Sequence, residues 1–273
     1  MPESGVRASP SLEAHGRAEH IRLCAIIPAM HKRVLSVTPI EGGTLKRADG
    51  LTSTMPMSHQ TRFQLQVAAN HLLTYTDAMK DTDTPTRYAG HSLVRGALEG
   101  AVTALWLQQP GTLARRALRS LRWTWWEQND AADFAAEVGT DASDEKASML
   151  ALLEADKNRI KGLNQDSVDH PRPTRTAMII DVQRRLPAMP QPTILAAWRQ
   201  TSSLAHGNSA VARMSFNLAS IEGASEHLRY ATTSWAVSSA LLRTAVAAFD
   251  ASVSKFEERA AETPSHRRPP SPA

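Results

Sequence analysis

Apolar residues recur at helical spacing along most of the chain. The clearest run covers residues 225–260, where apolar side chains from Leu228 to Phe256 fall every three or four positions. Such spacing places them on one face of an α-helix. Together with breaks at proline and glycine, the pattern predicts helices over residues 59–80, 85–109, 112–138, 143–163, 174–186, 193–206 and 225–260. We therefore expect an all-α fold, an up-and-down helical bundle of about five to seven helices.

Capping residues mark several of the expected helix ends. Thr84 followed by Pro85 is typical of an N-cap with proline in the first helical position. Ser143 is an expected N-cap because two acidic residues follow it, and the helix dipole favours negative charge in the first turn. Gly207 follows His206 and is expected to end the helix over residues 193–206.

Both ends of the chain lack the helical pattern. Before residue 59 the apolar runs are short, and Pro28 and Pro39 interrupt them. Met55 and Met57 stand just before the first strong pattern and are alternative translation starts. The predicted organisation is a flexible or weakly structured extension over residues 1–58, a helical bundle domain over 59–260 and a disordered proline-rich tail over 261–273.

The composition narrows the class of protein without naming a function. A formal net charge of +4 permits contact with RNA but does not require it. Cys24 is the only cysteine, which excludes an internal disulfide and a cysteine-based zinc site and favours a reducing compartment. Residues 235–249 are apolar but contain Arg243, and the first twenty residues lack the apolar segment of a signal peptide. We expect a cytoplasmic protein that does not associate with a membrane.

The candidate catalytic residues are Arg199 and His206, which stand seven positions apart with Ser202 and Ser203 between them. Seven residues make nearly two helical turns, so these side chains share one polar face. Histidine exchanges a proton near neutral pH, whereas arginine stays charged and binds phosphate through two parallel hydrogen bonds. Cleavage of RNA without a metal needs both functions.

An arginine followed by four to six residues and a histidine, late in an all-helical chain, resembles the motif of the HEPN superfamily. Here the motif runs from Arg199 to His206, and the resemblance covers residues 59–260. It implies a metal-independent endoribonuclease of a toxin–antitoxin or phage-defence system, with RNA as substrate and no cofactor. It also implies a homodimer in which two motifs line one cleft, and an antitoxin or another protein as a partner.

A different interpretation of the same residues stays open. His206 is expected in the last turn of its helix, where a cationic side chain interacts favourably with the terminal carbonyl groups. If Arg199 and His206 serve only in capping and ion pairing, the chain is a non-enzymatic helical binding or oligomerisation module. A third hypothesis is a binder of small ligands within the bundle.

Four arginines on the third predicted helix form a second candidate site, for binding RNA. They precede Trp123, Trp125 and Trp126, and arginine next to exposed aromatic rings can hold phosphate and stack bases. The alternative is a solvated face on which the arginine stems cover core tryptophans. The four residues are Arg115, Arg116, Arg119 and Arg122.

Gly96 and Gly100 lie inside the second predicted helix, where each costs about 1 kcal/mol relative to alanine. Close approach by another helix or a second subunit would compensate for this cost. Arg95 and Glu99 are one turn apart, so they are expected to form an ion pair that supports the polar cleft of the motif. The histidines and aspartates match no known metal-binding spacing, and we expect no metal.

Overall fold

The structure is a computed structural model that describes residues 9–86, 88–187, 189–220 and 229–263. Apart from one two-stranded sheet, the regular secondary structure of these residues is helical, which confirms the all-α prediction. They form ten helices, more than the five to seven expected. The helices are α1 Pro10–Ser36, α2 Thr44–Leu51, α3 Met57–Met79, α4 Ala89–Gln108, α5 Leu113–Glu137, α6 Ser143–Asn158, α7 Arg175–Gln183, α8 Ile194–Ala205, α9 Ser209–Ser215 and α10 Trp235–Ala261; the strands are β1 Phe216–Ser220 and β2 Arg229–Thr233.

The chain divides into two compact units rather than the single predicted domain. Unit 1 contains Met1–Leu35, Gln64–Thr103 and Arg175–Val253. Unit 2 contains Ser36–Phe63, Ala104–Thr174 and Ser254–Ala273. Each unit is therefore built from segments that are far apart in sequence.

Residues 10–36 are helical, so the prediction of a flexible or weakly structured extension is wrong for them. Leu23, Ile27, Met30 and Val34 are all buried, at spacings of four, three and four. This spacing aligns them on one face of α1 and buries that face in unit 1. Pro28 lies inside the helix and does not end it.

Helix α1 also completes the start of α10. Oε2 of Glu13 accepts a hydrogen bond of 2.7 Å from the backbone N–H of Trp235, the first residue of α10. The second carboxylate oxygen of Glu13 bonds the Ser234 hydroxyl. A Cβ at Gly16 would lie 2.5 Å from the backbone nitrogen of Ala236, so only glycine permits this close approach.

Residues 37–58 of the predicted extension belong to unit 2. The backbone N–H of Ile40 donates to the Ala260 carbonyl at 3.2 Å, and the N–H of Thr44 donates to Glu262 at 2.8 Å. The backbone N–H of Ser58 donates to Asp49 Oδ1 at 2.8 Å. Backbone groups in this segment are thus paired as they are in the core of a folded protein.

Three predicted helix starts need correction. Helix α4 begins at Ala89 instead of Pro85. The hydroxyl of Ser143 bonds Asp141 instead of capping α6. Helix α10 begins at Trp235 because residues 229–233 form β2, which pairs antiparallel with β1; residues 225–228 lie outside the described residues.

Of the described helices, α10 has the length and composition that a membrane span requires. Its most apolar 18-residue window has a mean hydropathy of 1.3. However, 61% of that window is buried within the fold. Helix α10 therefore has the burial that is typical of a core helix.

Candidate functional site

The end of α8 holds His206 in a defined position. Thr193 caps the start of α8, and its hydroxyl accepts from the Ala196 N–H at 3.3 Å. At the other end Gly207 has a φ of +70°, its N–H donates to Leu204, and the N–H of Asn208 donates to Ser203. These two bonds form a Schellman motif, with His206 as the C-cap residue. The predicted end of the helix is confirmed.

The side chain of His206 is exposed and contacts α4. Its Nε2 atom lies 3.0 Å from Nη1 of Arg95, and arginine can only donate, so Nε2 accepts. No described carbonyl group of the α8 terminus bonds this side chain. The bond to Arg95 therefore differs from the capping role considered above.

Glu99 joins Arg95 to α8. Its Oε1 atom accepts from Arg95 Nε at 3.0 Å and from Trp198 Nε1 at 2.9 Å. The predicted Arg95–Glu99 ion pair is therefore present, with both side chains about a quarter exposed at 28% and 27%. We call Arg95, Glu99, Trp198 and His206 the Glu99 cluster.

Glu99 stays ionised despite its position. Burial raises the pKa of its carboxyl group, but the hydrogen bonds from Trp198 and Arg95 and the nearby charges of Arg175 and Arg95 outweigh burial, so the pKa is lowered. Arg175, the first residue of α7, also donates to the Thr103 hydroxyl at 2.7 Å. One carboxylate is thus surrounded by two guanidinium groups, which leaves a net positive charge beside His206.

The two glycines of α4 allow α3 to approach closely. A Cβ at Gly96 would lie 2.4 Å from Nε2 of His71, and a Cβ at Gly100 would lie 2.7 Å from the Gln64 carbonyl oxygen. Both neighbours belong to α3, so the predicted close approach by another helix is confirmed. Burial lowers the pKa of His71, and the negative charge of the nearby Glu99 offsets part of this decrease.

The other predicted site residues lie on α8 but outside the Glu99 cluster. Arg199 is exposed and makes no hydrogen bond or ion pair with any described residue. Ser202 and Ser203 are half-buried, and their carbonyl groups accept the bonds that end the helix. The structure therefore brings His206 together with Arg95 and Glu99, not with a partner on its own helix.

The four arginines of α5 bind the protein's own groups. Arg115 Nη1 lies 2.8 Å from Asp166 Oδ1, and Arg122 Nε donates to the Ser167 carbonyl at 2.9 Å. Arg119 lies over the ring of Trp106 at 4.4 Å and donates to its carbonyl at 2.6 Å. These contacts give the α5 arginines a structural role within unit 2.

The prediction that Arg116 binds RNA needs correction, because Arg116 is not on a surface that RNA could reach. It is 2% exposed, and its Nη1 atom donates to the Pro110 carbonyl at 3.0 Å. The neighbouring tryptophans Trp123, Trp125 and Trp126 are 3–5% exposed, so they present no ring face for stacking. The alternative, arginine stems covering core tryptophan, describes Arg119 and Trp106 directly.

Sequence reasoning missed Trp198, Arg175 and His71. Trp198 directly precedes Arg199, and nothing in the sequence around it indicates a bond to Glu99. Arg175 and His71 carry no local pattern at all. Within the described residues no group of three His, Cys, Asp or Glu side chains could hold a metal ion.

No family model, curated protein or solved structure matches this chain.

Proposed function

We propose that this protein is a HEPN-like, metal-independent endoribonuclease in which His206 exchanges a proton and arginine binds the phosphate. The observation that carries the proposal is the contact of 3.0 Å between His206 Nε2 and Arg95 Nη1. It supplies, at one exposed position, the acid–base group and the fixed cation that phosphodiester cleavage needs. The up-and-down arrangement of the long helices is part of the same proposal.

The positive charge around Glu99 supports binding of a phosphodiester. Arg95 uses Nε for Glu99 and Nη1 for His206, while Nη2 contacts no described residue. Arg199 is exposed on the same helix as His206 and has no partner within the described residues. Two guanidinium groups are therefore available to a phosphate, and guanidinium binds phosphate through parallel hydrogen bonds.

The proposed reaction starts when the phosphate attracts Arg95 and releases His206 Nε2. Nε2 then takes the proton of the ribose 2′-hydroxyl, and the 2′-oxygen forms a bond to phosphorus while the bond to the 5′-oxygen breaks. The leaving 5′-oxygen takes up a proton from water, and His206 later returns its proton to solvent. The products are a 2′,3′-cyclic phosphate and a 5′-hydroxyl end. Arg199 and Arg95 stabilise the negative charge of the transition state. Ser202 and Ser203 stay supporting residues of the polar face.

The resemblance to HEPN proteins adds three parts to the proposal. The active form is a homodimer in which two copies of the motif line one cleft. An antitoxin or another protein partner restrains the activity, as in a toxin–antitoxin or phage-defence system. The protein acts in the cytoplasm. Light scattering of the purified protein tests the dimer.

The proposal is tested by incubating the purified protein with mixed RNA in the presence of EDTA. Cleavage is expected to yield cyclic phosphate ends, and His206→Ala is expected to lower the rate by about 10²-fold to 10⁴-fold. Arg199→Ala and Arg95→Ala are expected to lower it by about 10²-fold or more. The variants are compared at equal concentration after circular dichroism has verified their folding.

Matched control variants distinguish cleavage by the proposed site from cleavage by a contaminating nuclease. His59 and Arg213 are exposed residues of the same types outside the proposed site, so His59→Ala and Arg213→Ala should retain full activity. Cleavage that persists in His206→Ala at the wild-type rate would show a contaminating nuclease and overturn the proposal. Cleavage that requires added Mg²⁺ would overturn its metal-independent mechanism.

The competing proposal is a non-enzymatic binding or oligomerisation module. It is favoured by the same cluster, because Glu99 bonds both Arg95 on α4 and Trp198 on α8 and so holds two helices together. Under this proposal no variant affects RNA. Both proposals expect Glu99→Ala to lower stability, so the RNA assay discriminates between the two.

A further inference from the structure

A cavity of about 360 Å³ in unit 1 contains three side chains with soft donor atoms. His20 and Cys24 stand one turn apart on α1, and Met79 is the last residue of α3. None of them belongs to the proposed ribonuclease site. From these residues we propose that the cavity binds one soft monovalent metal ion, Cu(I), through the Cys24 thiolate, the His20 imidazole and the Met79 thioether.

The spacing of the first two donors fits a shared metal ion. Sγ of Cys24 and Nε2 of His20 are joined by a hydrogen bond of 3.6 Å, which the metal ion would replace. A metal bonded to sulfur at about 2.3 Å and to nitrogen at about 2.0 Å, with roughly 110–120° between the bonds, holds the two atoms about 3.6 Å apart. The two ligands thus need little rearrangement to bind the ion.

The surroundings keep both donors in place. His20 is 4% exposed, and its ring centroid lies 4.8 Å from that of Trp235 and 5.6 Å from that of Tyr75. These aromatic contacts fix the direction of the imidazole. Cys24 is half-buried and bonds Thr76, which also lines the cavity. A histidine held this way loses little conformational freedom when it binds a metal.

The protonation states of the donors are compatible with this role. Burial lowers the pKa of His20, so its imidazole is neutral and keeps a lone pair for a metal at neutral pH. Burial raises the pKa of Cys24, more than the hydrogen bond with Thr76 lowers it, so the thiol is protonated before the ion arrives.

The thioether decides which metal is favoured. Thiolate and thioether ligands select Cu(I), whereas Zn²⁺ combines thiolate with imidazole or carboxylate and rarely uses methionine. Met79 is 4% exposed and lines the same cavity as Cys24. Two charged residues at the cavity, Lys80 and Asp81, are of opposite sign, and Arg17 is paired with Asp83 at 3.6 Å. The charge of the cavity therefore does not exclude a monovalent cation.

The test is an anaerobic titration of the whole protein with Cu(I) in competition with bicinchoninate. One ion per chain is expected, with no binding in Cys24→Ser and at least about tenfold weaker binding in His20→Gln and Met79→Leu. His59→Gln and Met214→Leu change exposed residues of the same types and should bind as the wild type does. Circular dichroism verifies that each variant is folded.

X-ray absorption of the wild-type complex provides a measurement that needs no variant. It is expected to show two sulfur ligands and one nitrogen ligand around copper. Copper bound by a single sulfur, or affinity that is unchanged in both His20→Gln and Met79→Leu, would mean simple thiol binding and overturn the proposal. Tighter binding of Zn²⁺ than of Cu(I) would overturn the assignment of the metal.

Discussion

His206 and Arg95 are 111 positions apart in sequence, and their side chains meet at 3.0 Å between Nε2 and Nη1. Because guanidinium has no acceptor atom, the lone pair of the imidazole must point at Arg95. The proton of the ring is then on Nδ1. The bond therefore selects one of the two tautomers of His206.

The first prediction follows from this selection. Nitrogen NMR of the ¹⁵N-labelled protein above neutral pH should show His206 with a protonated Nδ1 and an unprotonated Nε2. Arg95→Leu removes the donor, so the Nε2–H form should gain population. The exposed residue His59 serves as an internal reference. A His206 spectrum that is the same in wild type and Arg95→Leu would contradict the contact.

The second prediction concerns Glu99, whose Oε1 atom accepts from both Trp198 and Arg95. Glu99→Ala leaves both donors without their acceptor, and we expect a loss of about 1–3 kcal/mol in the free energy of unfolding. Urea unfolding measures this loss. Glu258→Ala breaks an exposed ion pair with Lys255 and should change stability by less than about 1 kcal/mol. Equal losses in both variants would show that Glu99 does not join α4 to α8.

The third prediction concerns Gly96. A methyl group there would lie 2.4 Å from Nε2 of His71, so Gly96→Ala should cost about 1–3 kcal/mol in the free energy of unfolding. Adding His71→Ala should relieve most of the clash between the two side chains. Gly50→Ala is the matched control, because no atom lies within 4 Å of its added Cβ, and it should be neutral or stabilising. A tolerated Gly96→Ala would contradict the tight packing of the His71 ring against Gly96.

The fourth prediction is a loss of stability in acid through His91. This histidine is 3% exposed, its Nε2 has no hydrogen-bond partner among the described residues, and burial lowers its pKa from 6.5 to about 4. Between pH 6.5 and about 4, His91 is protonated in the unfolded chain but stays neutral in the folded chain. The contribution of the neutral His91 to the free energy of unfolding is therefore fully present above pH 6.5. It falls by about 3 kcal/mol as the pH drops to about 4.

Urea unfolding at pH 7.5 and at pH 4.5 measures this loss for wild type and His91→Leu. The variant has no imidazole to protonate, so its stability should fall less between the two pH values. His20 and His71 also have pKa values lowered by burial, and their contribution stays in both proteins. An equal fall in both proteins would contradict a buried neutral His91.

The sequence predicted the helical class well because helical periodicity is local. Helix α8 shows this best: Thr193 caps its start, and Gly207 ends it through a left-handed backbone that glycine adopts freely. The same local reasoning failed for α1. Leu23, Ile27, Met30 and Val34 have the helical spacing, but a proline within such a run is typical of a helix end. Here the packing of their buried face outweighs the hydrogen bond that Pro28 removes.

The candidate site was only partly predictable for a related reason. Arg95 and Glu99 were expected to pair because they are one turn apart on one helix. The contact of Arg95 with His206 joins two helices, and no pattern in one sequence reports such a contact. The α5 arginines illustrate the converse, since residues that are typical of RNA binding also serve to bond nearby backbone carbonyl groups.

The cap of the last long helix has a consequence for how the chain acquires its fold. Glu13 bonds the backbone N–H of Trp235, a residue 222 positions later. The ribosome therefore makes Glu13 222 residues before Trp235, and the contact between α1 and α10 cannot form until Trp235 has been synthesised. Contacts of such long range are the slow part of folding. Completion of unit 1 therefore requires synthesis of the chain into α10.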